Sequence, residues 1–315
     1  MMKAVVCTKY GPPEVLVVRQ VPKPSPKAEE VLIRIHATTV TASDVLIRQM
    51  AGNLFMRLLL KAVFGFRRPR NPILGMACSG VVEATGEKVT KFRPGDLVFA
   101  YGAMSAMVRR FGSYAEFLCL PEEWNLLGKP ESLSHKQAAA LPYGGFLAWH
   151  CVHGRIQPGQ RVLIYGASGS IGTMAVQLAK QAGATVTGVC SRGNFDLVTG
   201  LGCDKAIDYT SSDAASELEQ YDLVVDAVGH SKTSALKVAS KRALAAGGKY
   251  VSIDDDVPTT RREDFVQLRE LAAAGKLTPI IDRCFGLEEM VEAHRYVDAG
   301  HKKGNVVISV VEEGA

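Results

Sequence analysis

The sequence predicts an α/β protein in two parts, an N-terminal twisted, barrel-like β unit followed by a doubly wound parallel sheet. Three observations predict it. Residues 1 to about 130 read as short strands broken by Gly- and Pro-rich turns, and from about 135 strands alternate with helices. Between them in importance stands the stretch 161–179, RVLIYGASGSIGTMAVQLA, in which an apolar strand runs through glycines 166, 169 and 172 into an apolar-periodic helix.

The first part is expected to hold strands at 3–8, 15–20, 31–39, 80–85, 97–100 and 114–120. Turn chemistry such as GPP, PKPSP and RPGD separates them. Strands this dense, without long helices between them, suit an antiparallel barrel-like unit. In the second part the pattern gives helices at 135–152, 171–182, 194–201, 212–219 and 232–245. Strands at 162–165, 185–189, 205–208, 222–226 and 249–253 fall between them. That alternation implies βαβ crossovers. The tail is expected to form a helix at 263–274, a strand near 277–285, a helix at 287–299 and a strand at 305–311. Its strands should rejoin the first part, making the parallel sheet an insertion.

Composition narrows the function. The chain of 315 residues is 47 % hydrophobic, enough for a large core and about two domains. Its formal net charge of +5 is too small and too scattered to argue for nucleic acid. The seven cysteines, at 7, 78, 119, 151, 190, 203 and 284, are odd in number and form no C-x-x-C. A disulfide framework or structural zinc cluster is therefore not expected, and a reducing, cytoplasmic setting is. The N-terminus enters a strand pattern at once and shows no targeting segment. The segment 54–66, LFMRLLLKAVFGF, is apolar on nearly every side, with Arg57 and Lys61 its charges and Arg67, Arg68 and Arg70 following. It reads as a buried or lid helix, with contact to a membrane surface as the other reading.

The glycine-rich turn carries the chemistry. Ala167 stands where the dinucleotide fingerprint has its first glycine and permits the tight turn, Gly169 lets the backbone approach a pyrophosphate, and Gly172 lets helix pack on strand. Ser168, Ser170 and Ile171 complete a turn whose helix start offers unpaired N–H groups to phosphates. The next strand ends in Ser191 and Arg192, where an NAD site has a carboxylate for the ribose. A hydroxyl and a guanidinium suit a 2′-phosphate, so NADP(H) is the expected cofactor. A solvated loop arginine is the bland alternative. Ala227, Val228 and Gly229, and Ile253 one strand later, sit at carboxyl ends of strands, where such sheets bind ligands. Asn194, Tyr209 and Asn305 are further cofactor-binding candidates.

The order of the segments MKAVVCTKYGPPEVL, VLIRIHATTVTASDVLIRQ, PILGMACSGVVEATG, FRPGDLVF, GSYAEF, AAALPYGGFLAW, the glycine turn, YDLVVDAVG and EAHRYVDAGHKKGNVVISV covers nearly the whole chain. In these it resembles the medium-chain dehydrogenase/reductase superfamily, within it the zinc-independent quinone oxidoreductase, or zeta-crystallin-like, branch. The resemblance implies a GroES-like catalytic domain at 1–130 and 276–315 and a Rossmann domain binding NADP(H) at 131–275. It also implies hydride transfer to a small-molecule quinone or, alternatively, an enoyl or enone acceptor. A reading from another class is a non-enzymatic NADPH-binding or membrane-associated regulatory protein. Zinc-dependent relatives carry ligands where this chain has Thr41, Ala42, Met76 and Ala77, so no metal is expected. Thr41, Tyr101 and Tyr143 are then the candidates to hydrogen-bond the substrate oxygen. After Ile253 the chain lacks about 30 residues that many such relatives have, the sixth Rossmann strand among them, so the sheet is expected to end early or to have a shortened edge strand, which puts in doubt the dimer those relatives often form across that edge.

Overall fold

The computed structural model describes residues 1–51, 54–103, 109–110, 112–230, 233–255 and 259–311, with the backbone alone at 54–56 and 59. The elements begin with β1 (Met2–Cys7), β2 (Leu16–Val21), β3 (Glu30–Val40), α1 (Ala42–Gln49), α2 (Leu54–Phe64), β4 (Ala77–Thr85), β5 (Leu97–Tyr101), β6 (Phe117–Pro121) and β7 (Asn125–Gly128). Then come α3 (His135–Val152), β8 (Arg161–Tyr165), α4 (Ser170–Gln181), β9 (Thr185–Cys190), α5 (Phe195–Gly200), β10 (Lys205–Asp208), β11 (Tyr221–Asp226), α6 (Ala235–Arg242) and β12 (Leu244–Ser252). The chain closes with α7 (Arg262–Ala273), β13 (Ile281–Gly286), α8 (Met290–Asp298) and β14 (Asn305–Ser309).

Contacts divide the chain into two units. The first is Met1–Pro142, Thr259–Arg269 and Ile281–Ala315, and the second is Tyr143–Pro258 and Glu270–Ile280. In place of the expected border at 130 the first crossing falls in α3, and in place of the single border at 275 the chain crosses after 258, within α7 after 269, and after 280. Pro142, inside α3, has no N–H to give the helix, and the division falls there. The start of α3 belongs with the first unit because Ala139 and Ala140 bury against Ala37 and Val307. The start of α7 does too, because Phe265 packs on Phe99 with ring centroids 4.6 Å apart.

In the first unit, seven strands form one sheet in the order β13-β14-β3-β4-β5-β7, with β6 also pairing β3. β1 and β2 form a separate antiparallel hairpin, tied on by bridges from Ala4 to Ala115 and from Val6 to Ile73. The alternation in β3 explains its central place. Val31, Ile33 and Ile35 point into one core with Cys78, Val82, Val98 and Leu126, while Val40 joins Val5, Leu16, Leu74, Val306 and Ile308 in another. β14 pairs β3 antiparallel, Val306 against Val40 through Ser309 against Ala37, so the tail does rejoin the first part. Sequence patterning missed α1 and β7, and placed β6 three residues early.

The second unit is a parallel sheet in the order β10-β9-β8-β11-β12, with β8 central. Each of Val162, Leu163, Ile164 and Tyr165 is buried, as a strand covered on both faces requires. The expected helix at 212–219 is a single 3-10 turn, Ala214–Glu217. β12 starts at Leu244 rather than 249, through a register shift opposite Tyr221 and Leu223. Among the described residues no sixth strand follows β12, which leaves it as an edge.

Two histidines of the first unit are held neutral. Burial, with the tilted His36 ring at 4.4 Å and Lys129 nearby, pulls His135 down to about 4 while its Nδ1 shares a 2.8 Å hydrogen bond with Ser79. Burial, with Arg48 nearby, pulls His294 down to about 3, and neither of its ring nitrogens has a hydrogen-bond partner among the described residues. Both folded values lie below the ordinary 6.5, so the unfolded chain binds the proton first. Stability should be level above 6.5 and fall with acidification, each histidine adding a slope of about 1.4 kcal/mol per pH unit. Urea midpoints taken between about pH 6.5 and pH 5 check this, and His294→Gln should flatten the slope by one histidine's share.

Candidate dinucleotide-binding site

The glycine-rich turn of the second unit is shaped by close approaches. Gly166 holds φ +85°, the left-handed region, so the tight turn is made there rather than at Ala167 as the sequence suggests. A Cβ on Gly172 would lie 2.1 Å from the Gly166 carbonyl oxygen, which is why the helix can start this close to the strand. Gly169 is different: a Cβ there would meet only that oxygen, at 3.5 Å. Its glycine is not needed for internal packing, and it leaves the approach to the turn open. Gly169 is also the N-cap of α4 and, having no side chain, supplies no capping acceptor to the first N–H groups of the helix. An anion is the natural partner for such a helix start.

Three predicted residues converge beside this turn. Asn194 Nδ2 donates to Ser168 Oγ and to Ser191 Oγ, each at 3.1 Å. Because both hydroxyl oxygens accept, their own protons remain to be donated. Arg192 is exposed, its guanidinium 6.0 Å from the Phe195 ring centroid. Asp208, at the end of β10, accepts from the Thr210 N–H and hydroxyl, at 2.9 and 2.7 Å. Those bonds, and then the Arg192 amide and guanidinium, hold its carboxyl below the usual range. Tyr209 follows, half exposed, its N–H on the Cys190 carbonyl at 3.2 Å.

The end of β11 closes the other side. The Ala227 N–H donates to the Tyr165 carbonyl at 2.9 Å, and Val228 packs where a Gly166 Cβ would be, 2.4 Å from it. The Ile253 N–H reaches the Asp226 carbonyl at 3.2 Å. The structure therefore brings together Gly166 to Gly172, Ser191, Asn194, Ala227 to Gly229 and Ile253.

What the sequence reading missed is the group that fixes this edge. Asp226 is fully buried, with Lys237 Nζ on its Oδ2 at 2.6 Å and the Tyr250 hydroxyl on the same oxygen at 2.8 Å. Its Oδ1 accepts from the Val228 and Gly229 amides at 3.1 and 3.2 Å, and Lys237 also donates to the Gly229 carbonyl at 2.5 Å. Burial pushes this carboxyl up, but the lysine, the tyrosine and the amide outweigh it and the net shift is downward. The signal was present as a lone acid ending the apolar strand YDLVVD.

The remaining candidates lie elsewhere. Thr41 is the N-cap of α1 in a capping box, its hydroxyl donating to Asp44 Oδ2 at 2.6 Å and accepting from the Asp44 N–H at 3.3 Å. Its proton is committed to that carboxylate, which corrects its reading as a substrate donor. Tyr101 ends β5 and Asn305 begins β14, both buried in the first unit, whereas Tyr143 lies buried in the second.

The family profile described as Alcohol dehydrogenase GroES-like domain matches residues 27–131, and that described as Zinc-binding dehydrogenase matches 170–274 and, in a second form, 256–308. The chain is 32 % identical to the NAD(P)H oxidoreductase RTN4IP1, mitochondrial, of Bos taurus, over 99 % of this chain and 90 % of that one. It is 30 % identical to the NADPH-dependent alkenal/one oxidoreductase, chloroplastic, of Arabidopsis thaliana, over 98 % and 79 %. Among solved structures, the quinone oxidoreductase from Coxiella burnetii superposes with a TM-score of 0.84 at 27 % identity, covering 98 % of this chain and 99 % of that one.

The zinc in one profile's name does not fit these residues. Thr41 is a helix cap, and Ala42, Met76 and Ala77 offer no strong ligand. Cys78 is buried in an apolar cluster, and that burial pushes its thiol up to about 12. Among the described residues no group of three His, Cys, Asp or Glu could hold a metal ion.

The steric asymmetry of the turn gives a paired test. Gly169→Ala should leave thermal stability unchanged and weaken NADPH binding at least about tenfold in a fluorescence titration, by obstructing the phosphate approach. Gly172→Ala should instead lower the melting temperature, because the added methyl has no room. Lys237→Met leaves the buried Asp226 uncompensated and should cost about 3–5 kcal/mol in urea unfolding. The double variant with Asp226→Asn should recover part of that loss.

Proposed function

Because the chain belongs to the medium-chain dehydrogenase/reductase superfamily, we propose that this NAD(P)H oxidoreductase is a zinc-free, NADPH-dependent reductase. It delivers hydride to a quinone or a similar electron-poor carbonyl compound, a small-molecule substrate. The observation that carries the NADPH preference is the Ser168–Asn194–Ser191 chain beside Arg192. Two hydroxyls with their oxygens already occupied, next to a guanidinium, offer donors and positive charge. A 2′-phosphate needs both, whereas a ribose diol is best met by a carboxylate acceptor.

When bound, NADPH supplies the hydride. The protein's share is to hold and orient. The open N-terminus of α4, with Gly169 bare, takes the pyrophosphate, and the turn 227–229, fixed by Asp226 and Lys237, borders the cofactor. Reduction of a conjugated carbonyl builds negative charge on its oxygen, which a hydroxyl donor stabilises. Tyr101 and Tyr143 remain the candidates for that donor. An enone acceptor is the second reading, favoured by the Arabidopsis relative's name. A cytoplasmic location belongs to the same proposal, supported by seven free cysteines and testable by cell fractionation.

Arg192→Ala should weaken NADPH binding about ten- to a hundredfold, the worth of a charge-assisted bond, while NADH binding stays within about twofold. Equal losses for both cofactors, or none, would remove the phosphate assignment. NADPH oxidation by purified protein with a quinone, an enone and an aldehyde tests the reaction itself: turnover with the first two is expected, and none with any acceptor would overturn the proposal.

A further inference from the structure

One stretch of the first unit takes no part in the site just described. Between Asp44 and Glu83 the sequence holds Arg48, Arg57, Lys61, Arg67, Arg68 and Arg70 and no acidic residue. Among the described residues, only Arg48 of these six is in an ion pair, buried against both oxygens of Asp298 at 2.6 and 2.7 Å. Arg57, Arg67, Arg68 and Arg70 are exposed.

Apolar side chains are exposed among them. Leu58 is 54 % and Phe66 67 % exposed, and apart from the N-terminal Met1 no described large apolar residue is more exposed than Phe66. The turn that presents Phe66, Arg67 and Arg68 is built rather than loose. The Gly65 N–H donates to the Lys61 carbonyl at 2.8 Å, the Arg70 N–H to the Phe64 carbonyl at 2.7 Å, and the Tyr10 hydroxyl to the Gly65 carbonyl at 2.7 Å. Holding a phenyl ring in water costs free energy that a solvated loop has no reason to bear.

We propose that α2 and the turn after it form a docking surface for an anionic phospholipid bilayer. Phe66 and Leu58 enter the headgroup boundary, and Arg57, Arg67 and Arg68 meet the lipid phosphates. The segment lies on the bilayer and does not cross it. The 11 residues of α2 rise about 16 Å, against a hydrocarbon core of about 30 Å. A nucleic acid would engage the arginines but give Leu58 and Phe66 no apolar phase to enter.

Co-sedimentation of the full chain with vesicles tests this, using phosphatidylcholine alone and phosphatidylcholine with phosphatidylserine. Binding to the anionic vesicles only, weakened by salt, is expected. Arg67→Glu/Arg68→Glu should lower the partition at least about tenfold. Leu58→Ser/Phe66→Ser should lower it at least about fivefold with little change in salt dependence. All four positions are exposed, so melting temperature and NADPH oxidation with a soluble quinone should match the parent protein. Failure to bind anionic vesicles, or binding unaffected by the arginine pair, overturns the proposal. So does binding that heparin displaces and Leu58→Ser/Phe66→Ser leaves intact, which would identify a site for soluble polyanions.

Discussion

The second unit's ligand-facing edge depends on one buried ion pair. Asp226 and Lys237 are both almost without solvent contact, and taking two charges out of water is costly. Here the cost is offset because each charge is also hydrogen-bonded: the carboxylate by two amides, Tyr250 and Ser252, the ammonium by the Gly229 carbonyl. The pair spans the end of β11, the turn after it and the start of α6, and Tyr250 and Ser252 bring in β12. Val228, held by that carboxylate, packs on Gly166, so the glycine-rich turn rests on the same anchor.

The small residues of that turn have divided duties. Gly166 and Gly172 answer to the protein's own backbone, one through its left-handed φ and the other through a near-contact across the turn. A Cβ on Gly169 would meet only the Gly166 carbonyl oxygen, at ordinary contact distance. At the end of β9 a hydroxyl and a guanidinium stand where an acid would bind a ribose, the feature on which the proposed NADPH preference rests. Tyr101 and Tyr143, each buried within its own unit, carry no comparable local signature.

Legibility in the sequence followed the range of the forces. The βαβ alternation, the turn at 166–172, Ser191 and the return of the tail to the first unit were readable because each rests on periodicity or on short-range turn chemistry. The T-x-x-D capping box of Thr41 is just as local a signal, and it explains that hydroxyl without any substrate. The borders at Pro142 and within α7 were not readable, since they depend on which core a helix half buries against. Nor was Lys237, eleven positions beyond its partner and reached only after a turn and a helix start. Long-range pairing of that kind leaves only an acid at the end of an apolar strand as its trace.

The pairing of β14 with β3 also sets an order of events during synthesis. The first unit is discontinuous, and the partner of Ala37 to Val40 is made only after every strand of the parallel sheet. The parallel sheet, by contrast, has all five strands by residue 252 and can assemble on the nascent chain while β3 waits with an open edge. That edge belongs to a strand rich in Val and Ile, the kind that recruits other chains when left unpaired. A nascent chain that stops short of β14 therefore carries a complete parallel sheet beside an unpaired, aggregation-prone edge, and protection of that edge by a chaperone matters most in the interval before residues 305–309 emerge.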